Sequence, residues 1–228
     1  MKISLINASP KMGDSNTGFL LDALARHIAA GHALHRHNLG RGKGFPAEIL
    51  REIAADDAIV LGFPLYVDAL PSSLTALLIA LEDCLKTESR HDRTVYAIIN
   101  NGFYEGRQTC IAFEIVQNWC ERAGVKFGGG IGQGADETIG ILQKKKVPWR
   151  VWPFGRTERA LIALARTMEE GAPFGIRYLT PAFPKFLFCF LATHFFWHPL
   201  AKKNGLHIKT LPKKENILMR TMHDPENL

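Results

Sequence analysis

The sequence predicts an α/β protein: a doubly wound parallel sheet of five strands, ordered 2-1-3-4-5, with helices on both faces. Along residues 1–143, short apolar runs alternate with segments of helical periodicity. That alternation is typical of a parallel sheet whose strands are joined by crossover helices. The run at 58–61 is continuously apolar, as expected for a strand buried on both faces. We expect this domain to cover residues 1–175, followed by an aromatic-rich helical extension and tail over residues 176–228.

The first elements follow from local patterns. Ile3 to Ile6 form an apolar first strand, and a loop rich in Pro, Gly, Ser and Asn then leads into a predicted helix over residues 16–30. A weaker strand is expected from Ala33 to Leu39, where two histidines and an arginine indicate an edge position open to water. Pro46 to Ala55 is expected to be a short helix.

The central elements have clearer signals. After the strand at 58–61, leucines at helical spacing predict a helix over residues 72–85, with Pro71 and Ser72 at its start. Val95 to Ile99 is the next central strand. A helix over residues 107–123 is expected, with Ile111, Ile115 and Trp119 along one apolar stripe. Val125 to Ile131 resembles a strand weakened by glycines.

The last third of the chain has one predicted helix, over residues 157–170, and then an aromatic cluster. Phe183 to Trp197 contains seven aromatic residues in fifteen. Its uncharged part, residues 186–197, has 12 residues, well short of the ~20 needed to span a bilayer. We favour packing of this segment against the domain or a second subunit in a homodimer. A cap over a ligand pocket is one alternative, and docking on a membrane surface, with flanking lysines, is another.

Composition excludes several classes of protein. The chain has 228 residues, of which 46% are hydrophobic and 22% charged, and these values are typical of a globular protein. The four cysteines are scattered without a C-x-x-C pair, which favours reduced thiols over a disulfide framework. The N-terminus lacks the pattern of a secretory signal. We therefore expect a cytoplasmic protein.

The positive charge is concentrated in the last third. Residues 1–143 carry 13 Lys/Arg against 16 Asp/Glu, whereas residues 144–228 carry 15 against 6. A basic face suits a polyanion, a phosphorylated cofactor or an anionic membrane surface. Because basic and aromatic residues are not interleaved in a nucleic-acid-binding motif, we do not expect nucleic-acid binding. His194 and His198 lie four residues apart without an acidic neighbour, so a structural pair is favoured over a metal site.

Three loops carry the candidate chemistry. In a doubly wound sheet the ligand lies beyond the carboxyl ends of the strands, where the winding reverses. For the order 2-1-3-4-5 that point lies between strands 1 and 3, so the loops after Ile6, Leu61 and Ile99 should converge. The first loop offers hydroxyls, an amide and a cation ahead of a helix N-terminus, which suits a phosphate monoester. An ordinary polar helix cap is the alternative.

The second and third loops suit a flat ring system. Residues 62–71 combine Phe, Leu, Tyr and Val in one loop, which would form an apolar wall; alternatively these side chains fill the core, and Phe63 in particular is expected there. Residues 100–106 contain Asn-Asn-Gly, a turn whose amides could bond a heterocycle edge or serve the turn alone. A glycine-rich segment at 128–134 allows close approach of a ligand or of another backbone.

Four segments resemble one family. SLINASPKMGDSNT, FPLYVDALPSSL, NNGFYE and GGGIGQGADE occur in matching order within residues 1–140, and they are similar to the flavodoxin-like NAD(P)H-dependent FMN reductases and oxidoreductases. The resemblance implies FMN at the switch point and NAD(P)H as the hydride donor, and no catalytic acid or base. The FMN phosphate would be held by Ser9, Lys11, Ser15, Asn16 and Thr17. The ring would be bordered by Pro64, Leu65, Tyr66, Val67, Asn100, Asn101, Gly102, Phe103 and Tyr104.

The resemblance therefore implies an FMN-dependent oxidoreductase with a small-molecule acceptor: a quinone, a nitroaromatic, a metal chelate or a flavin. Two other functions stay open. One is an electron-transfer flavodoxin that does not itself use NAD(P)H. The other is a flavin-free module of the same fold that binds a partner through residues 183–197.

Overall fold

The computed structural model describes residues 1–11, 13–40, 45–87 and 92–211. The chain divides into two compact units, Met1–Ala182 and a second unit that starts at Phe183. The predicted tail after residue 211 lies outside the described residues.

The first unit is built on one parallel sheet. Its strands are β1 (Lys2–Asn7), β2 (Ala33–Asn38), β3 (Ala58–Pro64), β4 (Thr94–Asn100), β5 (Lys126–Gln133) and β6 (Gly175–Leu179). The spatial order is β2-β1-β3-β4-β5-β6, and every neighbouring pair is parallel. The predicted order of the first five strands and the edge position of β2 are confirmed. The predicted strand number was wrong, because β6 is a short edge strand whose first three residues are exposed and which has no apolar run.

In the part of the first unit that the structure describes, six helices cover the two faces of the sheet. They are α1 (Asn16–Ala25), α2 (Ala47–Ala55), α3 (Ser72–Thr87), α4 (Cys110–Ala123), α5 (Asp136–Lys144) and α6 (Gly155–Glu170). The helix predicted over 16–30 ends at Ala25, where the chain tightens and the His27 amide donates to the Leu24 carbonyl. The helix predicted over 107–123 begins as a 3₁₀ turn at Gly106–Thr109 and becomes α4. Helix α5 was not predicted.

Two apolar cores lie on opposite faces of the sheet. Helices α2, α3 and α4 pack on one face, and α1, α5 and α6 contribute to the core of the other. The leucines whose spacing predicts α3 are all buried, and they are Leu74, Leu77, Leu78, Leu81 and Leu85. The apolar stripe predicted for α4 was wrong in two positions, because Ile111 and Ile115 are 47% and 38% exposed. Helix α4 is rotated so that Phe113, Val116 and Cys120 face the core instead.

The glycine-rich segment at 128–134 belongs mainly to β5. A side chain at Gly129, whose φ is +106°, would overlap the Gly175 carbonyl of β6, and one at Gly130 would overlap the Ala97 carbonyl of β4. The close approach predicted for these glycines is therefore made by neighbouring strands of the same sheet.

The second unit contains short helical segments. Helix α7 (Lys185–Leu191) continues through a π-helical turn (Ala192–Trp197) into α8 (His198–Lys203), and a 3₁₀ turn follows at Ile208–Thr210. Among the described residues, no helix combines the length and the apolarity needed to cross a bilayer.

Candidate functional site

The loops after β1, β3 and β4 meet at the carboxyl edge of the sheet. The amide of Ala8 donates to the Gly62 carbonyl at 2.8 Å, and the amide of Leu65 donates to the Asn100 carbonyl at 2.8 Å. The Thr17 hydroxyl donates to the side-chain oxygen of Asn100 at 2.7 Å. These three bonds join all three loops, so the predicted convergence is correct in space. It lies at the point where the connections leaving β1 and β3 diverge.

The first loop ends in a capped helix. Ser15 is the N-cap of α1, and its hydroxyl oxygen accepts from the Gly18 amide at 3.0 Å. An α-helix leaves its first amides without an intrahelical acceptor, so the N–H groups of Asn16 and Thr17 are directed away from the helix. Lys11 and Gly13 are exposed in the same loop, while Met12 lies outside the described residues. The loop thus combines a positive helix end with one exposed cation.

The other polar side chains of this loop bond within the protein. Ser9 is buried, and its hydroxyl oxygen accepts from the Lys11 amide at 3.4 Å. Thr17 is directed at Asn100. Asn16 donates a side-chain hydrogen bond to Asp136. Five phosphate-binding residues were expected from this loop, and four of their side chains, including that of Ser15, are engaged with neighbouring groups of the chain.

The second loop forms a tight turn with exposed apolar side chains. Tyr66 and Ala69 exchange backbone hydrogen bonds at 3.0 and 3.1 Å. Between them, Val67 and Asp68 have φ angles of +48° and +60°, a conformation that a β-branched residue such as Val rarely adopts. Tyr66 is 48% exposed and Val67 is 98% exposed. Pro64 and Leu65 are half-buried, and Phe63 fills the core as expected.

The third loop is held by its own asparagines. The side-chain oxygen of Asn101 accepts from the Phe103 amide at 2.8 Å, and its amide group donates to the Glu105 carbonyl at 3.4 Å. Asn101 is buried, whereas Gly102 and Phe103 are exposed and Tyr104 is half-buried. The asparagine predicted at the ring edge therefore fixes the turn, and Phe103 is the large side chain that the turn presents to solvent.

Asp136 is a site residue that the sequence analysis missed. Its carboxylate accepts from the Asn100 side-chain amide at 2.5 Å, and its backbone amide donates to the Asn101 carbonyl at 3.0 Å. Burial raises the pKa of Asp136 above its ordinary value of 3.8, and hydrogen bonds from Asn100 and Asn16 oppose that rise. One signal was available, because Asp136 lies in the loop region five residues after the end of the predicted strand 125–131.

Glu137 places a second carboxylate near the first loop. Burial is the main cause that raises its pKa, the charge of Asp136 raises it further, and the charge of Lys11 lowers it. The charge of Lys144 lowers the pKa of Glu137 as well, so two lysines oppose the rise. The carboxyl edge of the sheet therefore combines a helix N-terminus, a lysine, two acidic groups and two exposed aromatic rings.

A polar pocket lies beside the first loop, toward the edge strand β2. It has a volume of about 190 Å³ and is lined by Leu5, Asn7, Gly13, Asp14, Ser15, Gly18, Phe19, Leu21, Asp22, Arg36, His37 and Asn38. Ser15 thus borders this pocket as well as capping α1. None of the lining residues belongs to the second or third loop.

The fold matches solved structures, although no protein-family model and no curated protein matches the sequence. An apo NADH:FMN oxidoreductase superposes with a TM-score of 0.56 at 12% identity, covering 73% of this chain and 89% of that one. An NADPH-quinone reductase from P. pentosaceus superposes with a TM-score of 0.53 at 16% identity, and the match covers 72% of this chain and 98% of that one. A WrbA-like flavodoxin from Agrobacterium tumefaciens superposes with a TM-score of 0.52 at 14% identity, and the match covers 75% of this chain and 96% of that one. The chain therefore has the flavodoxin-like fold that its four segments imply.

Proposed function

We propose that the protein is an FMN-dependent oxidoreductase that passes hydride from NAD(P)H through FMN to a small-molecule acceptor. The observation that carries this proposal is the junction of three loops at Asn100, at the carboxyl edge where doubly wound sheets bind ligands. The solved structures of this fold described above include an NADH:FMN oxidoreductase and an NADPH-quinone reductase, and both names agree with the proposal.

The first loop fits the phosphate end of FMN. A phosphate monoester needs several convergent donors, and the first-turn amides of α1 provide them at the positive end of the helix. Gly13 has a φ of +82°, and a side chain at this position would meet no atom within 4 Å, so there is open space beside the backbone. Lys11 would supply the countercharge. Ser15 would keep the helix end fixed through its bond to Gly18.

The second and third loops fit the ring end. Tyr66 and Phe103 are 48% and 57% exposed, and large apolar side chains at a convergent polar edge suit a flat heterocycle. The unusual backbone at Val67 turns the second loop back on itself and sets the position of Tyr66. Asn100 and Asp136 would act indirectly, by holding the two loops at a fixed separation.

Bound FMN would supply the redox chemistry, since its ring system accepts and donates hydride. The chain itself would bind and orient the cofactor and shield part of it from solvent. We assign no catalytic acid or base, because hydride transfer to a flavin requires none. The acceptor would be a quinone, a nitroaromatic, a metal chelate or a free flavin.

Binding and turnover test the proposal in sequence. Purified protein loaded with FMN should lose its visible flavin absorption on anaerobic addition of NADH or NADPH, and an acceptor should restore it. Lys11→Ala should weaken FMN binding and leave riboflavin binding unchanged. Lys126→Ala is the matched control, because this exposed lysine lies at the amino end of β5, on the opposite edge of the sheet.

Two results would contradict the proposal. Protein that binds FMN but is reduced by neither nicotinamide would be an electron-transfer flavodoxin. Protein that binds no FMN at all would be a flavin-free module of this fold.

A further inference from the structure

The second unit exposes an unusual number of large apolar side chains. Within Lys185–Lys203, those more than a third exposed are Phe186, Phe190, Leu191, Phe195, Phe196, Trp197 and Leu200. Phe186 and Phe195 are the most exposed, at 75% and 73%. Large apolar side chains exposed in such number within one short segment are typical of a surface that binds a partner or a membrane.

These side chains all lie on one continuous helical segment. Helix α7, the π-helical turn and α8 follow one another without an intervening loop from Lys185 to Lys203. The turn Ala192–Trp197 is wound more widely than an α-helix, and three consecutive aromatic residues at its end are all exposed. This segment is too short to cross a bilayer, since its 16 uncharged residues, 186–201, extend about 24 Å at ~1.5 Å each, less than the ~30 Å of a hydrocarbon core.

The charge around this segment has one sign only. Residues 171–214 contain seven Lys/Arg and no Asp or Glu. Lys202 and Lys203 end the helix, about 7.5 and 9 Å beyond Trp197 along the axis, so both lysines lie at one end of the aromatic segment. A lysine in this position can keep its aliphatic stem on apolar surface while its charge reaches a polar layer.

We propose that residues 183–211 dock on an anionic membrane surface, with the aromatic side chains in the headgroup–acyl boundary and the lysines on the lipid phosphates. Aromatic residues combined with lysines are typical of helices that lie in this interface. A lipid surface fits the uniform positive charge better than a second copy of the chain does. Two copies joined through this segment would bring their positive charges together, and like charges oppose association.

Vesicle binding by the full-length protein tests the proposal. The protein should sediment with phosphatidylglycerol–phosphatidylcholine vesicles and bind pure phosphatidylcholine vesicles at least about tenfold more weakly, and added salt should weaken the binding. A double variant, Phe186→Ser with Phe195→Ser, should lower the affinity for anionic vesicles by about tenfold or more. Ile79→Ser is the matched control, since Ile79 is 65% exposed on α3.

A second pair of variants tests the charges. Lys202→Glu with Lys203→Glu should abolish the preference for phosphatidylglycerol. Lys144→Glu with Lys145→Glu changes the net charge equally outside this unit and should leave that preference intact. Equal binding to both vesicle types, or no binding to either, would overturn the proposal. So would a wild-type dimer that the two phenylalanine substitutions convert to a monomer, because the surface would then belong to a second copy.

Discussion

Replacing Asn100 by alanine removes the side chain that joins two loops of the candidate site. Its oxygen accepts from the Thr17 hydroxyl at 2.7 Å, and its amide donates to the Asp136 carboxylate at 2.5 Å. All three residues are buried. The backbone bond from the Leu65 amide to the Asn100 carbonyl does not depend on the side chain. The substitution therefore removes the links to the first loop and to α5.

The expected loss of stability is about 3 kcal/mol. A neutral hydrogen bond contributes about 1 kcal/mol, and a bond to a charged group contributes about 1.5–3 kcal/mol. Both partners stay buried after the substitution, so the Thr17 hydroxyl and the Asp136 carboxylate each lose a bond that water does not easily replace.

Urea unfolding of four proteins measures this effect. They are the wild type, Asn100→Ala, Thr17→Val and the double variant. Thr17 and Asn100 are in direct contact, so their substitutions should not be additive. The losses of unfolding free energy in the two single variants should add up to about 1 kcal/mol more than the loss in the double variant. Asn118→Ala, on the exposed face of α4, should change stability by less than about 0.5 kcal/mol. Additive effects, or a loss for Asn100→Ala below about 1 kcal/mol, would refute the reasoning.

Three further predictions address the helix cap, the tight backbone approach and the buried carboxylate. Ser15→Ala should lower the free energy of unfolding by about 1 kcal/mol through loss of the N-cap bond, and Asp14→Ala should show no such loss. Gly106→Ala should destabilise the protein by at least about 2 kcal/mol, because the new methyl group would overlap the Gly132 carbonyl and lie 2.5 Å from the Leu179 carbonyl; Gly31→Ala, with no atom within 4 Å, is the control. The Asp136→Asn variant should gain stability relative to the wild type as pH rises above about 4. The raised pKa of Asp136 means that the folded wild type holds this proton more tightly than the unfolded chain does, so deprotonation lowers the stability of the wild type only. Unfolding curves at several pH values measure that difference, and a constant difference would contradict it.

The central part of the fold could be predicted because its signals are local. Strands β3 and β4 are continuous apolar runs, and the leucine spacing of α3 defines a buried face. The order of the five strands follows from general rules for doubly wound sheets. These features need no knowledge of distant contacts.

The missed elements depend on contacts between distant residues. Strand β6 has three exposed residues in five, and its place beside β5 depends on the absence of a side chain at Gly129. Helix α5 contains Gly140, which normally weakens a helix. A side chain at this position would collide with the side chain of Asn16 from α1, and that requirement is not visible in a local pattern.

The sequence predicts which loops form the candidate site, but it predicts only some of the side-chain contacts within it. The convergence of the loops follows from topology, and the structure confirms it through Thr17, Leu65 and Asn100. The direction of each side chain does not follow from topology. Asn101 bonds its own turn, and Asn100 bonds Asp136, which lies 36 residues away in sequence.

Parallel titrations with FMN and riboflavin test the central claim most directly. The two ligands share the ring system and differ in the phosphate, which we assign to the α1 N-terminus and Lys11. The account predicts one FMN per chain, bound at least about tenfold more tightly than riboflavin, a difference of about 1.4 kcal/mol. FMN that does not bind, or binds no more tightly than riboflavin, would contradict it.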